Sequence, residues 1–161
     1  MPNFASVRSV NLSPKDQERF CRYLLLLKED LDKNLGRALR RANTLVKISL
    51  YLESDELAFI TRVLRSVLED HILLYRALRS EGLMRVRILG GEIKVPDEDT
   101  NKGLALLKNN RLEILETVDD VKRFVNGQLS FGEMCEKLNK VEISVLKLIE
   151  KYGGEWRNQY D

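Results

Sequence analysis

Between residues 57 and 78 apolar side chains recur at alternating three- and four-residue steps, with one histidine among them: Leu57, Ile60, Leu64, Val67, His71, Leu74, Leu78. An α-helix brings such positions onto one stripe, because about 3.6 residues complete a turn. A stripe of roughly six turns cannot be left in water. It has to be covered by other helix faces, so the chain is committed to helix-on-helix packing. Ser54-Asp55-Glu56 opens this helix with a capping hydroxyl and two acids where the helix dipole favours negative charge, and Gly82 supplies a stop.

The preceding segment is its natural cover. Ser13 is a helix N-cap with Pro14 at the first helical position, and Asp16 follows three residues after the cap. Phe20, Leu24, Leu27, Leu31 and Leu35 then form a helical stripe that continues through Leu39, Ala42, Leu45, Ser49 and Leu52. Gly36 is the soft spot, since glycine inside a helix costs about 1 kcal/mol relative to alanine. Residues 14–52 therefore read either as one very long helix or as two meeting near Asn34–Gly36.

The period changes after Gly82. Met84, Val86 and Ile88 alternate with Arg85 and Arg87, which predicts a strand with one buried face. Gly90-Gly91 reads as a two-residue hairpin turn, with Ile93 and Val95 on the return strand to Pro96. Asp97 to Lys102 reads as a polar loop. Leu104–Leu107 and Leu112–Leu115 flank Asn109-Asn110, a second predicted hairpin. Thr117-x-x-Asp120 resembles a capping box for a short helix with Val118, Val121, Phe124 and Val125, closed at Gly127. Ser130-x-x-Glu133 is a full capping box, and its helix carries Phe131, Met134, Leu138, Val141, Val145, Leu148 and Tyr152 up to Gly153-Gly154. The predicted class is mainly α with a small β element (α+β): long antiparallel helices, two β-hairpins and two C-terminal helices. The division is a flexible arm 1–12, a helical domain 13–82, a small β-rich domain 83–129, and a C-terminal helix and tail 130–161.

Charge and composition narrow the function classes. The chain has 161 residues, and 27 Lys and Arg against 25 Asp and Glu leave a net charge of +2, which favours no class of partner. A dedicated nucleic-acid binder shows a larger or more concentrated basic excess. Glutamine is scarce (Gln17, Gln128, Gln159) while Lys, Arg and Glu are abundant, a thermophile-like bias. Cys21 and Cys135 lie in helical patterns without metal-ligand spacing and read as reduced structural thiols. The first residues contain no apolar stretch of signal-peptide length, and the longest apolar run, Tyr23–Leu27, is too short to span a bilayer. The expected location is cytoplasmic, in association with the nucleoid.

No phosphate-binding glycine loop, nucleophile elbow, HExxH or CxxC motif is present. One histidine severely narrows the options for a general base and rules out a His-rich metal site. Arg65 and His71 do match the loose Arg-x(4–6)-His pattern of the HEPN ribonucleases, in which a histidine activates a ribose hydroxyl and an arginine stabilises the phosphorane. The competing reading places His71 on the apolar seam as a buried, hydrogen-bonded structural residue. Arg37, Arg40, Arg41 and Lys47 are candidates for phosphate contact, set against a solvated face paired with nearby acids. Asp97-Glu98-Asp99 lacks EF-hand spacing. Neither a metal nor a cofactor is expected. Trp156, Arg157 and Tyr160 form an interaction element or a core anchor, because aromatics and arginine concentrate at interface hot spots.

Three stretches together resemble the subunits of the GINS complex, the scaffold of the archaeal and eukaryotic replicative helicase. RALRRANTLVKISL (37–50) resembles the arginine-rich helix of the helical A domain, and SDELAFITRVLRSVLEDHILLYRAL (54–78) the helix after it. MRVRILGGEIKVP (84–96) and GLALLKNNRLEILETVDDVKRFVNGQL (103–129) resemble the small β-rich B domain. The resemblance covers residues 37–129. It implies a non-catalytic scaffold in a hetero-oligomer with a helical paralogous subunit, the replicative helicase and a RecJ-like protein, with at most weak direct DNA contact and no membrane. Under it, Leu57, Ile60, Leu64 and Leu74 on the seam, and Trp156 and Tyr160 in the tail, are the candidates for protein interfaces. Two alternatives stand beside it: a helical nucleic-acid-binding adaptor of an effector complex, and the HEPN-like ribonuclease using Arg65 and His71.

Overall fold

In a computed structural model, residues 12–88 and 98–152 are described. They form helices α1 (Pro14–Lys33), α2 (Leu35–Tyr51), α3 (Asp55–Ile88), α4 (Glu98–Val125) and α5 (Phe131–Tyr152). Among the described residues there is no strand. This overturns the α+β class and the second β-hairpin. The turn of the first hairpin and its return strand, Gly90 to Pro96, fall outside the described residues.

Local capping chemistry decides where most helices begin. The Ser13 hydroxyl accepts from the Asp16 amide at 3.1 Å, and Ser54 accepts from the Leu57 amide at 3.2 Å. The Ser130–Glu133 box closes reciprocally, at 3.1 Å from the Glu133 amide to Ser130 Oγ and 3.0 Å from the Ser130 amide to Glu133 Oε1. The junction between α1 and α2 makes residues 14–52 two helices. Asn34 is extended (φ −157°, ψ 100°). Its amide donates to the Asp30 carbonyl at 2.7 Å, and its side chain accepts from the Arg37 amide at 3.0 Å. One residue thus ends α1 and starts α2, while Gly36 lies within α2. At the far end of α4, Gly127 adopts φ 77°. The Gln128 amide returns to the Arg123 carbonyl at 2.8 Å and the Gly127 amide to Phe124 at 3.0 Å, which is a Schellman stop.

Two corrections concern α3 and α4. Gly82 does not stop α3, which continues to Ile88. Most of its neighbours there (Glu81, Leu83, Met84, Arg85, Arg87) are strong helix formers, and they outweigh one glycine and a five-residue alternation. Helix α4 takes in the supposed loop at Glu98–Lys102, the supposed hairpin around Asn109-Asn110 and the supposed short helix after Thr117. Its buried stripe runs Leu107, Asn110, Ile114, Thr117 and Val118, Val121, Phe124 and Val125, with helical spacing. Thr117 is no cap, since its hydroxyl donates to the Glu113 carbonyl one turn back at 2.8 Å. Glu98 and Asp99, read as a solvated acidic linker, belong to the first turns of α4.

Packing follows a closed circuit. Helix α1 lies on α2, α2 on α3, α3 on α4, and α4 returns to α1, while α5 lies against both α3 and α4. All five helices contribute to one apolar cluster, led by Phe20, Leu27, Leu64, Leu74 and Phe124. Lys28 joins Asp119 at 3.0 Å and Gln17 joins Asn126 at 2.8 Å, tying α1 to α4 and to the turn that follows it. No helix among the described residues is long and apolar enough to cross a membrane.

Candidate functional site

His71 occupies a seam position of α3 and is 0% exposed. A buried imidazole must place both ring nitrogens. Arg111 Nε donates to His71 Nε2 at 3.3 Å, so that nitrogen is the acceptor and Nδ1 carries the proton. Nδ1 lies 2.8 Å from Asn110 Oδ1, to which it donates. Asn110 Nδ2 faces Ser144 Oγ on α5 at 3.4 Å, and the Ser144 hydroxyl donates to Glu113 Oε1 at 2.8 Å.

Every donor in this chain points the same way, from the Arg111 guanidinium through His71, Asn110 and Ser144 to the Glu113 carboxylate. A unidirectional series between opposite charges lets each bond polarise the next. Burial pushes the His71 pKa down to about 4, the Asn110 hydrogen bond opposes that, and the Arg111 charge adds to it. At neutral pH the ring is therefore uncharged and saturated. Arg111 also lies 5.2 Å above the centre of the Tyr75 ring. Arg79 stacks on the same ring at 5.5 Å and donates to the Tyr75 hydroxyl at 2.8 Å.

The outer end of the chain opens into a groove of about 460 Å³ between α4 and α5. Leu106, Ile143 and Leu148 form its apolar part, and Lys140 and Lys147 stand along the α5 side. Leu106 is 40% and Ile143 43% exposed. Glu113 and Ser144, joined to each other, belong to the lining as well. Neither Lys140 nor Lys147 has a carboxylate within ion-pair distance among the described residues; the lysine pairs there are Lys28–Asp119 and Lys137–Asp120.

The residues singled out in the sequence fare differently. Arg65 and His71 are six residues apart on α3, hence about 9 Å along the axis and roughly 120° around it. They do not converge: the arginine that reaches His71 is Arg111, while Arg65 Nε is buried without a hydrogen-bond partner. Leu57, Ile60, Leu64 and Leu74 are fully buried in the chain's own core. Arg41 binds the buried Asp30 at 3.1 Å with Arg37 beside it at 3.7 Å, whereas Arg40 and Lys47 are exposed. Trp156 and Tyr160 lie outside the described residues. Cys21 and Cys135 are free thiols, each with its pKa raised by burial. No group of three metal-ligating side chains occurs among the described residues.

Sequence reasoning does not single out Asn110, Arg111, Glu113, Ser144 or the two groove lysines. One signal is available there: polar residues standing at buried seam positions in two different helices are candidates for partnership. Comparison with protein-family models, with curated proteins and with solved structures finds no match.

Proposed function

We propose that this chain is a non-catalytic helical scaffold that binds other proteins through its outer helix faces. One observation carries the reading: the α4–α5 groove combines an open apolar surface with lysines that lack an ion pair among the described residues. Its one hydroxyl, on Ser144, donates to Glu113 and receives from Asn110, so it is held within the hydrogen-bond chain. Leu106 and Ile143, accessible across one groove and rimmed by charged side chains, are the apolar surface that a partner would cover. The closed state of His71 agrees with this reading, because the ring presents neither a free lone pair nor an exposed edge to a substrate.

The GINS-type version is a narrower form of the same proposal, with a paralogous subunit, the replicative helicase and a RecJ-like protein as partners. It rests on the helical stretch 37–78, since residues 84–88 and 103–125, read as the β-rich domain, are helical. The test is purification of the intact chain from its own cells at native salt, with the mass of the complex measured. A fixed stoichiometric complex is expected; a chain that runs alone at every salt concentration overturns the scaffold reading. Helicase components in that complex would support the narrower version.

A further inference from the structure

We propose that the groove between α4 and α5 is the docking site for an amphipathic helix carrying acidic residues along one flank, an inference that rests on the scaffold reading above. The α5 side presents Lys140, Ile143, Ser144, Lys147 and Leu148, the one-face spacing of a helix ridge, and the α4 side presents Leu106 and Glu113 seven residues apart. Two roughly parallel ridges with an apolar trough between them accept a third helix laid into the trough, through anchors at i, i+3, i+4 and i+7. The volume of about 460 Å³ suits several apolar side chains.

Charge identifies the occupant. Lys140 and Lys147 stand two turns apart, about 10.5 Å along α5, so carboxylates spaced seven residues apart on a docked helix face both. Among the described residues neither lysine has an ion pair to give up. Glu113 stands on the opposite side, held by Ser144, and excludes an anionic residue there. The acidic flank must therefore lie toward α5, which fixes how the helix is rotated in the groove. A second copy presenting the same groove fits poorly, because it would set a trough against a trough with no ridge to fill either. A nucleic acid fits poorly as well, because the floor is leucine and isoleucine and one side bears a carboxylate.

The experiment places a photo-reactive amino acid at Ile143 in the full chain, in the cells that make it, with a matching probe at Tyr51, which is 86% exposed at the end of α2. Cross-linked segments are sequenced, and the segment captured at Ile143 is synthesised as a peptide and titrated against purified full chain by fluorescence anisotropy. The expected result is capture at Ile143, but not at Tyr51, of an amphipathic segment with an acidic flank. Its peptide should lose at least tenfold in affinity to the Lys140→Glu/Lys147→Glu variant, and regain it when the peptide's flanking acids are changed to lysine. Circular dichroism checks that the variant, altered only at surface lysines, stays folded. Capture of a second copy, of nucleic acid or of a segment without acids overturns the proposal, as does an affinity that ignores the charge exchange. If Ile143 captures nothing while the chain still purifies in a stoichiometric complex, the groove proposal falls and the scaffold reading stands.

Discussion

His71 Nδ1 and Asn110 Oδ1 lie 2.8 Å apart although 39 residues separate them in the chain. Each occupies a position that its own helix otherwise reserves for an apolar side chain, and each makes the other tolerable there. Asn110→Ala leaves the His71 Nδ1–H buried without an acceptor and should cost about 2–3 kcal/mol in urea unfolding. Replacing both residues by leucine should restore most of that loss. Additive single-site losses in the double variant would show that the pair is not coupled.

The depressed pKa of His71 has a definite sign in the pH dependence of stability. Between the ordinary value of 6.5 and the folded value of about 4, the unfolded chain binds a proton that the folded chain refuses. This contribution to stability is complete above pH 6.5 and is lost as pH falls toward 4, by about 3 kcal/mol at most. Unfolding curves measured across that window should slope accordingly, and the His71→Leu/Asn110→Leu variant should lose that part of the slope.

Leu64 separates a core role from a partner-facing one. It is buried inside the isolated chain, so Leu64→Ala should destabilise purified monomer by about 2–5 kcal/mol. A change below about 1 kcal/mol would place its packing partner on another molecule.

Gly103 is a close approach. A Cβ there would stand 3.1 Å from both Leu78 Cδ1 and Tyr152 Cδ1. Alanine asks those side chains to yield by a few tenths of an ångström, whereas leucine has no room where α3, α4 and α5 converge. Gly103→Leu should lower stability by about 1–3 kcal/mol, seen as a lower urea midpoint.

Asn34 holds the α1–α2 junction, and its cap can be tested by removal. Asn34→Ala deprives the Arg37 amide of its acceptor and should lose about 1 kcal/mol. The comparison variant Gly36→Ala should be neutral or stabilising. Gly36 stands in the first turn of α2 with helical backbone that alanine also adopts, and a methyl group there would meet Asn34 Oδ1 at 3.4 Å, an ordinary contact.

What was legible in the sequence was whatever is decided within a few residues. The Ser13, Ser54 and Ser130 caps, the Gly127 stop, the seams of α1 and α3 and that of α5 as far as Val145 stand as read, because capping and periodicity are local; beyond Val145 the buried position is Ile149, and Leu148 faces the groove. Helix α4 was not legible for a specific reason. Asn109-Asn110 imitates a turn and Thr117-x-x-Asp120 imitates a cap, while the reasons for burying Asn110 and Thr117 lie elsewhere: His71 on another helix and a carbonyl one turn back. His71 stood out as a polar residue on an apolar stripe, but its partners, 39 and 40 residues downstream, could not be read from its own segment. The groove depends on how two helices sit side by side, so it left no trace in either one alone.

The α1–α4 face sets an order of events. Lys28 and Asp119 are 91 residues apart and Gln17 and Asn126 are 109 apart, whereas α1–α2 and α2–α3 are neighbours in the chain. Loop-closure entropy makes the local pairs quick to form and the distant one late. During synthesis, a chain that has emerged only through α3 carries the flank of α1 bare, with its covering helix still to be translated. That interval is when the protein is most exposed to mispairing, and pulsed hydrogen exchange should find protection at the α1–α4 face arriving last.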